Sequence, residues 1–166
     1  MRHPGEHAGA EADAAVTATP GCHLAISTAD CAPVVLLGEA SVGLVHAGWR
    51  GLLAGVVQRT VDAMAALGDA PTRAAIGPCI RPGCYEFDGP ELTELVGRFG
   101  DDVRGVTRWG TPAFDLPGAV GVALRGAGVE AIADAGGCTA CDTRWYSHRA
   151  RAEPERFATL AWLEQR

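Results

Sequence analysis

Two polar, reactive residues sit at the ends of consecutive apolar runs. Cys31 follows Asp30 and leads into Pro33-Val34-Val35-Leu36-Leu37. His46 closes Val42-Gly43-Leu44-Val45 and leads into Ala47-Gly48-Trp49-Arg50-Gly51. Two short strands joined by a turn at Gly38-Glu39 would form a hairpin that brings Cys31 and His46 together. A thiol and an imidazole so placed support two chemistries: zinc ligation, or a thiolate nucleophile with imidazole as its base. The spacing fits a buried cysteine and a hydrogen-bonded core histidine equally well, and a metal site needs at least a third ligand. Asp30 has the chemistry of a general base or a ligand-orienting carboxylate, and also of a turn cap.

Other residues could join such a site. Arg50 lies among small residues just before a helical pattern, and an arginine beside a helix N-terminus after Gly51 would attract an anion such as phosphate. Trp145-Tyr146-Ser147-His148-Arg149 offers aromatics beside His and Arg, suited to a planar charged ligand or to the inward face of a strand. Cys138-Thr139-Ala140-Cys141 has the spacing of a zinc or redox pair, but no second pair matches it, so a structural role is expected.

The elements that must position these residues are short. Leu24 to Thr28, Val34 to Leu37, Val42 to Val45, Ala74 to Ile76, Val129 to Ala133 and Phe157 to Leu163 read as strands. Their continuous apolar character suits a sheet covered on both faces. Leu53, Val57, Thr60, Val61, Met64 and Leu67 recur at helical spacing, which predicts one helix ended by Gly68. Pro90 opens a second helix and Asp115 caps a third. This order predicts an α+β fold: a single compact layered domain over residues 13–166, with mixed β-sheet and flanking helices, preceded by a flexible arm at residues 1–12.

Composition narrows the function. The chain has 166 residues, 48% hydrophobic, with a formal net charge of −6. That charge argues against nucleic-acid binding. No run approaches the ~20 apolar residues of a membrane helix. All 14 positive side chains are arginine, so Schiff-base and P-loop lysine chemistry is excluded. The six cysteines, without an apolar signal core at the start, point to reduced thiols in the cytoplasm.

Thr28-Ala29-Asp30-Cys31, Val45-His46-Ala47-Gly48-Trp49-Arg50-Gly51, Ile76-Gly77-Pro78-Cys79-Ile80, Cys138-Thr139 and Tyr146-Ser147-His148-Arg149 stand in an order that resembles the YfiH/laccase-domain family. That family was first described as multicopper polyphenol oxidases and is now regarded as purine nucleoside phosphorylases. The similarity runs from Glu11-Ala12-Asp13 to the terminal strand. It implies a compact fold related to bacterial cysteine deamidase toxins. It also implies phosphorolysis of adenosine, inosine, guanosine and methylthioadenosine, adenosine deaminase activity, and zinc held by two His and one Cys.

Cys31 and His46 match two of those ligands. The family's first zinc His lies in a Gln-x-His-Gly element upstream of the stretch matched by Glu11-Ala12-Asp13; His3 and His7 do not match it, so the third ligand is expected upstream of Met1. Ala32 replaces the usual Leu, and Tyr146-Ser147-His148-Arg149 replaces the commoner Phe-Ser-Tyr-Arg-Arg. The site expected is therefore Asp30, Cys31 and His46 as catalytic groups, with Asp30 as proton carrier, and Arg50, Ser147 and Arg149 for substrate and phosphate. Zinc is the expected metal, with copper as the alternative. The competing expectations are a metal-free Cys–His hydrolase or deamidase, a copper-dependent polyphenol oxidase, and an inactive truncated domain that only binds a partner.

Overall fold

A computed structural model describes residue 7 and residues 10–164. The expected arm at residues 1–12 falls largely outside these, and His3 lies outside them altogether. The fold is α+β, a mixed sheet flanked by helices. Strands β1 (Ala14–Thr17), β2 (Leu24–Thr28), β3 (Ala32–Leu37) and β4 (Val42–Ala47) lead to helices α1 (Trp49–Leu53) and α2 (Val56–Ala66). Strand β5 (Arg73–Ile76), a 3-10 turn at Pro82–Cys84, α3 (Pro90–Phe99), β6 (Arg104–Val106), β7 (Pro112–Phe114) and α4 (Leu116–Gly126) follow. Strand β8 (Ala131–Asp134), α5 (His148–Arg151) and β9 (Phe157–Ala161) complete the order.

The main sheet runs β1-β4-β3-β5-β8, with β5 and β8 parallel and the other pairs antiparallel. Alternation along β3 covers both of its faces. Val34 and Leu36 join a large core with Val57, Val61 and Met64 of α2, Leu92 and Leu95 of α3, and Val120 and Leu124 of α4. Val35 and Leu37 face the other way, toward a smaller cluster of Leu24, Val42, Leu44 and Ala161 under the β2–β9 ribbon. The sheet is thus a middle layer, which accounts for its continuous apolar strands. At Gly43 a Cβ would come 2.9 Å from the sulfur of Met64, so the small residue lets α2 sit close.

Several boundaries differ from expectation. The helix expected through Leu67 is two helices, because Gly55 has φ of 78° and ends the first after one turn. Strand β8 begins at Ala131 rather than Val129, and β9 ends at Ala161 rather than Leu163. Strands β1, β6 and β7 are too short or too poor in large apolar residues to announce themselves. Residues 145–149 form a turn and the start of α5 rather than a strand, with Ser147 as N-cap. Asp115 caps α4 as expected, accepting from Gly118 N. Among the described residues no helix is long and apolar enough to cross a membrane.

Phe114 is fully buried and packs on Tyr85 and Phe87. Phe114→Ala is expected to lower stability by about 3–5 kcal/mol in urea unfolding; a loss under about 1 kcal/mol would mean that this aromatic layer is not part of the cooperative core.

Candidate functional site

The β3–β4 register pairs Ala32 with Ala47 and Pro33 with His46. The hairpin therefore carries Cys31 to Gly48, where a Cβ would sit 3.0 Å from the Cys31 sulfur. Glycine at position 48 is what allows the chain to pass that sulfur. One strand further out, Asp13 accepts from the His46 backbone N–H at 2.7 Å, and its carboxylate lies 3.1 Å from His46 Nδ1. A carboxylate on Nδ1 fixes the proton there and leaves Nε2 as a free donor atom, the arrangement that metal-binding histidines use.

Asp30 is only 7% exposed and holds φ at 87°. Its Oδ1 accepts from the hydroxyls of Thr139 and Ser147, each at 2.7 Å. Its Oδ2 accepts from the Arg149 backbone N–H at 2.7 Å. The Asp30 carbonyl accepts from Ile80 N. These contacts make Asp30 the point where four segments meet.

Burial pushes the Cys31 thiol up to about 11, with the carboxylates of Asp30 and Asp13 adding to the rise and Arg156 opposing it. A nucleophilic cysteine has the reverse environment, one that lowers its pKa. Negative surroundings that disfavour a bare thiolate are the ones a divalent cation relieves.

Beside the pair lies an aromatic layer. Trp49 meets Phe87 edge-on with ring centroids 5.6 Å apart, and Phe87 meets Tyr85 at 5.3 Å. The Arg50 guanidinium stacks 4.2 Å over Trp49. The Arg149 guanidinium lies 5.6 Å over Tyr85 and donates to the Glu86 carbonyl at 2.6 Å. Burial pushes Tyr85 up to about 12, with the Cys31 and Asp30 charges assisting and Arg149 and Arg50 opposing.

Asp30, Cys31, His46, Arg50, Ser147 and Arg149 are thus gathered at one end of the hairpin, but two details differ from expectation. The helix expected after Gly51 is split: its first turn begins at Trp49, so Arg50 lies inside it, and the next helix N-terminus is at Gly55–Val56 rather than just after Gly51. Ser147 is fully buried, donating to Asp30 and accepting from Ala150 N at 3.1 Å. It positions Asp30 and caps α5 instead of facing a ligand. Asp13, Thr139 and Tyr85 were not singled out from the sequence. Asp13 stands in the matched Glu-Ala-Asp stretch and Thr139 follows Cys138, but neither has a spacing that reveals its partner.

A second group of donors lies nearby. The sulfurs of Cys84, Cys138 and Cys141 are all within 4.8 Å of one another. Among the described residues no third donor joins Cys31 and His46 within that reach.

Fold and site together define an α+β domain whose β-hairpin presents a thiol and a carboxylate-oriented imidazole beside arginines and aromatics. The chain belongs to the family described as multi-copper polyphenol oxidoreductase laccase, whose model matches residues 2–164. It is 40% identical over 156 residues to a purine nucleoside phosphorylase of Streptomyces griseus, covering 92% of this chain and 63% of that protein. It is 43% identical over 161 residues to one of Xylella fastidiosa, covering 92% and 61%. Among solved structures it is similar to the hypothetical protein YfiH of Bacillus licheniformis, with a TM-score of 0.83, 29% identity and coverage of 92% of this chain and 61% of that one. YlmD of Geobacillus stearothermophilus gives 0.82, 31%, 92% and 61%. The chain spans less than two thirds of the length of these relatives.

Two outcomes follow from the geometry. Asp30→Ala leaves two buried hydroxyls and a backbone N–H without their acceptor. It is expected to cost about 2–4 kcal/mol in urea unfolding; an unchanged midpoint would remove Asp30 from the frame. In the metal-free protein, Cys31 alkylation by iodoacetamide should keep rising with pH toward about 11, because the thiol stays protonated well above its ordinary 9.0. Peptide mass mapping of the rate reads this, and a plateau below pH 9 contradicts it.

Proposed function

We propose that residues 13–166 carry the catalytic face of a cytoplasmic, zinc-dependent purine nucleoside phosphorylase, with phosphate and a purine nucleoside as its substrates. The observation that carries this reading is the juxtaposition of Cys31 and the Asp13-oriented His46 with Arg50, Arg149 and the Trp49–Phe87–Tyr85 layer. The names of the similar proteins support it. Cys31 Sγ and His46 Nε2 are a donor pair that suits zinc, with the remaining ligands supplied from beyond the described residues or by solvent and substrate. Bound there, zinc would act as a Lewis acid toward an oxygen ligand.

The chain's own residues divide the rest of the work. In phosphorolysis a phosphate oxygen bonds to the anomeric carbon as the bond from that carbon to the purine nitrogen breaks, and the departing purine takes up a proton. Arg50 and Arg149 match the planar, bidentate recognition that phosphate favours. The partly buried Trp49 and Phe87 offer an apolar surface to a purine. Asp30 accepts three hydrogen bonds, two on Oδ1 and one on Oδ2, which leaves one Oδ2 lone pair for the proton-carrying role.

The test is phosphate dependence. Purified 166-residue chain, and a version extended upstream where the reading frame allows, should release adenine from adenosine only when phosphate is present, as read by chromatography of the products. Adenine release without phosphate would mean hydrolysis and remove the reading. Inosine, the product of the deamination implied by the family resemblance, appears in the same chromatogram. Cys31→Ala and His46→Ala should lower bound zinc and turnover together. Loss of turnover in Cys31→Ala with zinc fully retained would favour the Cys–His hydrolase instead.

A further inference from the structure

Five of the six cysteines are not used by the reading above, and three of them, Cys84, Cys138 and Cys141, lie together. Cys138 and Cys141 come from one turn, closed by hydrogen bonds from Cys141 N and Asp142 N to the Cys138 carbonyl at 3.1 and 2.9 Å. These bonds fold the Cys-x-x-Cys turn so that both of its sulfurs lie on one side, within 4.8 Å of the Cys84 sulfur. Cys84 arrives from a different part of the chain, at the end of the 3-10 turn Pro82–Cys84.

Two fixed contacts bring the turns together. Arg81 donates to both oxygens of Asp134 at 2.7 and 2.6 Å and to the Gly137 carbonyl at 3.1 Å. Cys79 and Cys138 form a parallel β-bridge, with Thr139 N donating to the Cys79 carbonyl at 3.2 Å.

We propose that Cys84, Cys138 and Cys141 form a zinc site, distinct from the Cys31–His46 pair, that ties the Pro82–Cys84 turn to the Cys138–Cys141 turn. Zn–S bonds of about 2.3 Å at tetrahedral angles place sulfurs roughly 3.8 Å apart, and these three lie within 4.8 Å of one another. A disulfide would engage two of them and strand the third, whereas a thiophilic ion engages all three. On binding, each thiol loses its proton to solvent as its sulfur bonds to the metal. Three thiolates and one Zn²⁺ carry one net negative charge. The Arg108 guanidinium, 3.8 Å from the Cys141 sulfur, is placed to balance it. Cys84 lines a groove of about 420 Å³ with Glu86, Arg108, Trp109 and Arg149, from which water can take the fourth position.

The site has a consequence for the rest of the fold. Thr139 lies between two of the ligands and donates to Asp30. Zinc would therefore hold one corner of the Asp30 clamp from outside.

The test uses the whole reduced, metal-free chain, titrated with Co²⁺ as a spectroscopic stand-in and with Zn²⁺ for stoichiometry. The expected result is a strong near-ultraviolet sulfur-to-cobalt band and tetrahedral visible bands that survive in Cys31→Ala. In Cys141→Ser, at an exposed position that tolerates serine, the band should fall and the affinity should drop by at least roughly 10-fold. In the unsubstituted chain, zinc should protect Cys84, Cys138 and Cys141 together from alkylation, and a chelator should release all three; this readout needs no variant. A cobalt spectrum unchanged in Cys141→Ser, or alkylation of the three cysteines unaffected by zinc, would overturn the site. So would a Cys138–Cys141 disulfide whose reduction restores no metal binding. Retention of copper(I) in preference to zinc would overturn the choice of metal.

Discussion

The Asp30 carboxylate is the contact on which the arrangement of the site depends. Its partners Thr139 and Ser147 lie 109 and 117 residues away in sequence, and the Arg149 backbone 119 residues away. The residue holds a positive φ that costs of order 1–3 kcal/mol for a side chain other than glycine. Each hydrogen bond to a charged group returns about 1.5–3 kcal/mol, so three of them outweigh the strain. The geometry also explains why this residue is an aspartate. Its short side chain tolerates left-handed backbone, and its two oxygens reach three donors while the next residue, Cys31, is turned toward Gly48.

Around that clamp the site is assembled from loops held by their own internal bonds. Arg151 shows how: it donates to the carbonyls of Thr139, Ala140 and Trp145 and pairs with Glu153 at 3.0 Å. Glu153 in turn accepts from Ser147 N at 2.7 Å. The segment from Cys138 to Glu153 has little regular structure and few large buried side chains, so polar contacts hold its shape in place of a core. The hairpin is held in the opposite way. Val34, Leu36, Leu44 and Val45 are fully buried, and their packing fixes the register that sets Cys31 beside Gly48. One half of the site rests on hydrophobic burial and the other on charge-assisted hydrogen bonds.

That division decides what could be read from the sequence. The hairpin was legible because apolar runs bounded by a Gly-Glu turn leave few alternatives for β3 and β4, and Cys31 and His46 follow from its register. Helices α3 and α4 announced themselves through Pro90 and Asp115. The break between α1 and α2 was not legible, because a glycine within a periodic pattern is usually tolerated and nothing local shows that Gly55 adopts left-handed backbone. Strand β1 was missed because Ala14-Ala15-Val16-Thr17 has no strong period, although it carries the chain past Asp13 to His46. The Asp30 contacts were hidden more deeply, since Thr139 and Ser147 are ordinary hydroxyl residues whose role exists only once the chain has folded. Cys84 belongs to the same class. The pair at Cys138 and Cys141 has a recognisable spacing, but its third sulfur comes from 54 positions earlier in the chain, and no motif joins them.

The two sulfur-bearing regions share one frame. Tyr85 follows Cys84 directly, and its ring packs on Phe87 and under the Arg149 guanidinium. Arg149 spans the same gap, with its backbone on Asp30, its guanidinium over Tyr85 and one donor on the Glu86 carbonyl. A shift of the Pro82–Cys84 turn therefore moves the ring that Arg149 lies against, and a shift of the Cys138–Cys141 turn moves the hydroxyl that Asp30 accepts. Both displacements converge on the residue preceding Cys31. Asp30 is buried and bonded on both oxygens, and Cys31 follows it directly in the chain. The position of a prospective phosphate-binding arginine and that of a prospective metal-binding thiol are thus set by the same carboxylate.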